Sequence, residues 1–180
     1  MTFPGSPPDA SGSDAGGTRM LADFTIDPVE PGWYVVNDNV MGGRSEGGFS
    51  IEQGELRFAG RTNTDGGGFS SIRTESVQLD LSKYAGIRLR VKGDGRRYTW
   101  RLTTNARWRG QDVSYWADFD TDDGAWVTVD IPFSRFIPQY RGTRLDGPEL
   151  DPAQITGMGL MIYDRLDGPF ELRLTSVLAY

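Results

Sequence analysis

The chain has no cysteine and no histidine in its 180 residues. Those two absences remove whole classes of chemistry. No disulfide framework can form, and no cysteine redox centre. A Cys/His zinc site is excluded, as is haem held by protein Cys or His. Neither a Ser–His–Asp nor a Cys–His triad can be assembled. Lysine is nearly missing as well: Lys83 and Lys92 are the only two, and the other 17 of the 19 basic residues are arginine. No apolar stretch approaches the ~20 residues that a membrane helix needs. No window sustains a helical period.

The charge balance is mildly acidic, with 25 acidic against 19 basic residues and a net charge of −6. There is no run of like charges. A general nucleic-acid binder needs a net basic face, so nucleic acid is not an expected partner. The first 19 residues carry no basic n-region and no apolar h-region, and no N-x-S/T acceptor occurs. A cytoplasmic address is the default expectation.

Residues 1–19 hold three Pro, four Gly, three Ser, two Asp and two Ala. Such a segment cannot bury enough apolar surface to offset its ordering entropy, so a disordered tail is expected there. The globular pattern begins at Met20, itself a candidate start codon, and its length fits one domain over 20–180. From Leu21 onward the pattern is strands and turns. Ile87, Leu89 and Val91 alternate with Arg88, Arg90 and Lys92, which describes a strand with one wet face. Tyr98, Trp100 and Leu102 alternate with Thr99, Arg101 and Thr103. Val127, Val129 and Ile131 repeat the pattern, as do Phe170, Leu172 and Leu174. A hairpin is expected around Gln53-Gly54. Further strands are predicted over 69–73, 77–81, 114–120 and 158–163. Asp151–Ile155 is the one candidate helical turn. About ten short strands with little helix predict an all-β jelly-roll sandwich.

Motifs for catalysis are weak. Gly157-Met158-Gly159 lacks the third glycine of a dinucleotide fingerprint and lies in a strand pattern. Neither lysine has P-loop spacing before it. Carboxylate pairs suffice for glycoside hydrolysis, but 25 scattered carboxylates identify no pair. Asp118, Asp120 and Asp122 resemble the start of a calcium loop, yet the glycine comes one place late and the twelfth position is Val129. No cofactor is expected. A structural Ca²⁺ held between loops by backbone carbonyls is left open.

Binding residues are easier to nominate. Trp100 shares a face with Leu102 and is expected in the core. Trp116 is out of phase with Tyr115, Ala117 and Phe119, so one of these sets faces away from the core or into a groove. An exposed aromatic beside Arg101 could stack on a sugar ring or grip a peptide. Trp108 is placed in a loop, Arg107-Trp108-Arg109-Gly110. The densest polar segment is Asn37-Asp38-Asn39-Val40-Met41-Gly42-Gly43-Arg44-Ser45. It suits a tight structured loop, or an edge loop that offers Arg44 to a partner.

That segment, preceded by Trp33 to Val36, resembles the opening signature of the complex I intermediate-associated protein 30 (CIA30) family. Gly66 to Arg73 is similar to the family's glycine-rich strand entry, and Asp80 to Gly95 to its central strand. Trp126 to Phe136, Arg141-Gly142, Gly157 to Asp164, Gly168 to Phe170 and Ala179-Tyr180 continue the likeness over about Leu21 to Tyr180. The resemblance implies a galactose-binding-like jelly roll, similar to carbohydrate-binding modules, and no catalytic activity. It also implies a protein partner: the mitochondrial members are similar to chaperones that assemble NADH:ubiquinone oxidoreductase. The expected function is therefore an interaction module for subunits or intermediates of a respiratory membrane complex, cytoplasmic or peripheral at the inner membrane. A carbohydrate-binding module is the alternative. The expected contact residues are Arg44, Arg101, Trp108 and Trp116, with Asn37 and Asp38 shaping the loop.

Overall fold

A computed structural model describes residues 17–180. The tail expected over 1–19 lies almost wholly outside the described residues, although Arg19 already pairs as the first residue of a strand. Thirteen strands follow: β1 (Arg19–Asp23), β2 (Trp33–Asn37), β3 (Glu46–Glu52), β4 (Glu55–Thr62), β5 (Ser70–Thr74), β6 (Gly86–Lys92), β7 (Tyr98–Trp108), β8 (Gln111–Phe119), β9 (Trp126–Pro132), β10 (Ile137–Tyr140), β11 (Thr143–Arg144), β12 (Ile155–Ile162) and β13 (Gly168–Ala179). They form two antiparallel sheets. One has the order β3-β4-β13-β6-β9, with β1 also on β13. The other has the order β11-β10-β8-β7-β12-β5-β2. This is the all-β jelly-roll sandwich expected.

The core lies between the sheets and is filled by alternate residues of each strand. Leu56, Phe58, Ile87, Leu89, Val91, Ile131, Leu172 and Leu174 come from the first sheet. Ile72, Tyr98, Trp100, Leu102, Tyr115, Leu160 and Ile162 come from the second. Each is fully buried, as the alternation of β6, β7 and β13 requires. The β3–β4 turn forms where expected: Gln53 and Gly54 both take positive φ, 54° and 76°, the pattern of a two-residue hairpin turn that matches strand twist. The helical turn expected at Asp151–Ile155 is a short 3₁₀ turn, Pro152–Gln154, with the Asp151 side chain accepting from the Ala153 N–H.

Two expectations differ from the structure. The segment 77–81 is not a strand; it makes a single bridge, Leu79 to Ile155. Its next partner is the carbonyl of Pro152, and a proline has no N–H with which to continue a ladder. Trp108 is not in a loop but ends β7, and the hairpin turn is Arg109-Gly110, both at positive φ. Strands β1, β2, β10 and β11 lack the alternation that would have predicted them.

Candidate functional site

The outer face of the seven-stranded sheet carries the candidate site, and cross-strand register builds it. Gly159 on β12 sits opposite Arg73 on β5 and Arg101 on β7. Arg73 in turn faces Tyr34 on β2, and Arg101 faces Trp116 on β8. The result is one row across five strands: Tyr34, Arg73, Gly159, Arg101, Trp116. The strand period fixes its direction. Ile72, Leu160, Trp100 and Tyr115 point into the core, so their chain neighbours point the other way. Gly159 has no side chain, and the two arginine stems take its place: a Cβ there would stand 3.4 Å from the Arg73 Cγ and 3.6 Å from the Arg101 Cβ. One step along, the Thr103 hydroxyl takes the place of a side chain at Gly157: a Cβ there would stand 2.6 Å from it.

Over this row lies a groove of about 1020 Å³, roughly twice the next hollow at about 540 Å³. Val40, Met41 and Phe69 border one end, and Tyr140 and Arg141 border the other. Aromatic rings line it in sequence. Trp116 meets Tyr163 edge to face at 6.1 Å, and Tyr163 meets Phe69 at 6.3 Å. The Trp116 indole N–H donates to the Ser114 hydroxyl at 3.0 Å, which fixes the ring.

The charges on the floor are not compensated. Arg101 is 7% exposed, and its Nε has no partner; neither does the buried Nε of Arg73. Burial pushes the Arg101 guanidinium down to about 9, with the Arg73 charge as the second cause. Burial also lowers Arg73. Both therefore remain cationic near neutral pH, held side by side. Glu75 and Asp112 stand among the groove's lining residues, but Asp112 is paired with Arg107 at 2.8 Å.

The six expected contact residues do not gather in one place. Arg101 and Trp116 are neighbours on the groove floor. Trp108 lies behind the rim, tilted against Tyr140 at 5.8 Å and covered by Arg109. Asn37 holds the loop: its amide donates to the Gly47 carbonyl at 3.1 Å and its oxygen accepts from Ser70 at 2.6 Å. Asp38 is fully buried and accepts backbone N–H bonds from Ser45, Gly68 and Phe69. Arg44 points to solvent, 3.5 Å from Asp65, with both side chains 74% exposed. Exposed pairs of this kind contribute little. Arg44→Ala should change stability by less than about 0.5 kcal/mol, measured as a nearly unchanged Tm.

Sequence reasoning did not select Arg73, Tyr34, Tyr163 or Met161. Arg73 follows a single apolar residue in Ser-Ser-Ile-Arg-Thr, which gives no alternation to show its face. A signal did exist in the polar loop: Val40 and Met41, 70% and 63% exposed, are apolar residues where the loop had no local need of them.

The model of the complex I intermediate-associated protein 30 (CIA30) family matches residues 22–174. The chain belongs to this family. It is similar to an uncharacterized protein of Schizosaccharomyces pombe, 32% identical over 174 residues, covering 83% of this chain and 78% of that protein. It is similar to the mitochondrial complex I intermediate-associated protein 30 of Drosophila melanogaster, at 26% identity over 90% of this chain and 62% of the relative. For the protein of the same name from Mus musculus the identity is 29%, over 79% and 50%. The chain thus spans about half to three-fifths of the length of these two CIA30 relatives. Among solved structures, a family 11 carbohydrate-binding module of Clostridium thermocellum, in complex with a β-1,3-1,4-mixed-linked tetrasaccharide, shares the fold. Its TM-score is 0.64 at 20% identity, over 91% of this chain and 95% of that one. Among the described residues, no helix is long and apolar enough to cross a membrane.

Proposed function

We propose that this CIA30-family chain is a non-catalytic protein-interaction module, an assembly factor for NADH:ubiquinone oxidoreductase or a similar membrane complex. Membership of the CIA30 family supports this reading most directly. The groove adds a physical means: aromatic and arginine side chains on a rigid sheet are the residue types that dominate binding energy at interfaces. The contact surface is the groove around Arg101 and Trp116, flanked by Arg44 and by Trp108 behind the rim, with Asn37 and Asp38 shaping the loop. No cofactor takes part. The place of action is cytoplasmic, at the periphery of the membrane where such a complex is built.

A tagged pull-down from the native cell, read by mass spectrometry, tests this. Enrichment of several subunits of one membrane complex is the expected result. A clean bait, repeated under mild cross-linking, would remove the reading. A carbohydrate-binding module is the second reading, favoured by the aromatic groove on a fold shared with such modules. Titration of soluble glucans and galactosides against tryptophan fluorescence decides it: a saturable change supports it and a flat response ends it.

A further inference from the structure

The groove floor holds two guanidiniums that the folded chain does not neutralise. Arg101 is more than nine-tenths buried, and among the described residues neither it nor Arg73 has an ion pair or a side-chain hydrogen bond. The two stand on either side of Gly159, their stems packed close over it, and both line the groove. A fold that needed only to fill this position would place an apolar residue here, because an unpaired buried cation is costly. Elsewhere in this chain the buried arginine is fully partnered: Arg96 reaches Asp164, Thr62 and three carbonyls. The contrast marks Arg73 and Arg101 as donors whose acceptor comes from outside.

We propose that Arg73 and Arg101 form a carboxylate-binding site, and that its ligand is an acidic side chain on an extended segment of the partner protein. This rests on the interaction-module reading above. The shared chemistry is an oxyanion. A planar carboxylate fits a guanidinium fork through two parallel N–H···O bonds. The walls discriminate further. Met161, Tyr163, Phe69 and Trp116 offer apolar and aromatic surface on one side of the charge, and Gly157 and Thr103 lie on the other. A segment with acidic and apolar residues in alternation suits that pattern, since an extended chain presents every second side chain to one face. A bare phosphate would leave the walls unused. The sheet runs seven strands from β11 to β2 at about 4.8 Å each, so its outer face has room for several extended residues. At neutral pH both arginines stay charged, because even Arg101 is lowered only to about 9.

The test uses the full chain and a synthetic peptide pool. The octapeptides are acetylated and amidated, with glutamate fixed at the fourth and sixth places and the other places randomised. A second pool has glutamine at the fixed places. Inorganic phosphate and oligogalacturonate are titrated separately. The expected result is capture of the glutamate pool at least ~10-fold above the glutamine pool, weakening as salt rises. Arg73→Gln and Arg101→Gln should each lower capture ~10-fold or more. Arg101→Met should lower capture while raising Tm by about 2–6 °C, because it removes an unpaired buried charge. Equal capture of both pools overturns the proposal without recourse to any variant. Tighter binding of oligogalacturonate or of phosphate than of any selected peptide also overturns it, and moves the site to an acidic sugar or a free anion. The pull-down separates this inference from the function beneath it. If wild type and Arg73→Gln capture the same subunits equally, the carboxylate site fails and the assembly role stands. If wild type captures none, the assembly role fails whatever the peptides do.

Discussion

Replacing Asp38 with alanine should destabilise the chain by about 3–5 kcal/mol and lower Tm by about 10 °C. The carboxylate is fully buried at the start of the signature loop. One oxygen accepts the Ser45 N–H at 2.9 Å; the other accepts the Gly68 N–H at 2.6 Å and the Phe69 N–H at 3.3 Å. It therefore ties the signature loop to the entry of β5, beside the β2–β5 pairing that brings them together. The surrounding glycines make the room. A Cβ at Gly67 would meet the Asp38 side chain at 2.7 Å, and one at Gly43 would overlap it. Truncation strands these three donors in a closed space, and each stranded donor costs about 1–3 kcal/mol. Asn is a poor substitute, because whichever way its amide turns, an NH₂ faces a donor. Asp38→Asn should recover less than half of the loss. Thermal melts followed by circular dichroism check both values. A Tm within about 2 °C of wild type for the alanine variant would show that the loop holds itself.

The consequence for binding follows from what the loop carries. Val40 and Met41, at one end of the groove, lie two and three residues after Asp38 in sequence. Asp38 and Ser45 of this polar loop are inside, and its apolar Val40 and Met41 are outside.

That inversion shows what the sequence could and could not reveal. The strands of the core announce themselves: Ile87, Leu89 and Val91 alternate, so their burial follows from period alone. Trp100 and Arg101 separate onto opposite faces by the same logic. The signature residues from Trp33 to Ser45 carry the fold through family likeness. The pairing of Arg73 with Arg101 is invisible by comparison. It depends on β5 and β7 both lying against β12, in a register that puts Gly159 between them. No local pattern encodes that register. Nor does the polar character of Asp38 say whether it points to solvent or inward; Gly43 in the same loop and Gly67, distant along the chain, decide it.

Arg96→Ala should be about as damaging as any single change at a polar residue, at about 3–5 kcal/mol. Arg96 follows the Gly93-Asp94-Gly95 turn after β6 and reads in sequence as one more charged turn residue. In the fold its side chain is 13% exposed and holds the loop between β12 and β13. The guanidinium grips Asp164, itself 6% exposed, through two bonds of 2.8 and 2.6 Å. It also donates to the carbonyls of Leu166, Gly168 and Pro169 and to the Thr62 hydroxyl. The turn supports it from the other side, where Asp94 accepts from the Tyr98 hydroxyl and from the Glu171 N–H. The alanine variant loses the fork and leaves the Asp164 carboxylate buried without its cation. Most of the cost is that stranded charge. Arg96→Ala combined with Asp164→Ala should therefore be less destabilised than the sum of the two single variants, by about 1–3 kcal/mol. Arg96→Lys should remain well below wild type, because an ammonium cannot reach both carboxylate oxygens and three diverging carbonyls at once. Denaturant melts of the four variants measure the coupling. Strict additivity would mean that Asp164 finds water or another donor when Arg96 is gone, and that the clamp holds the loop by packing rather than by charge.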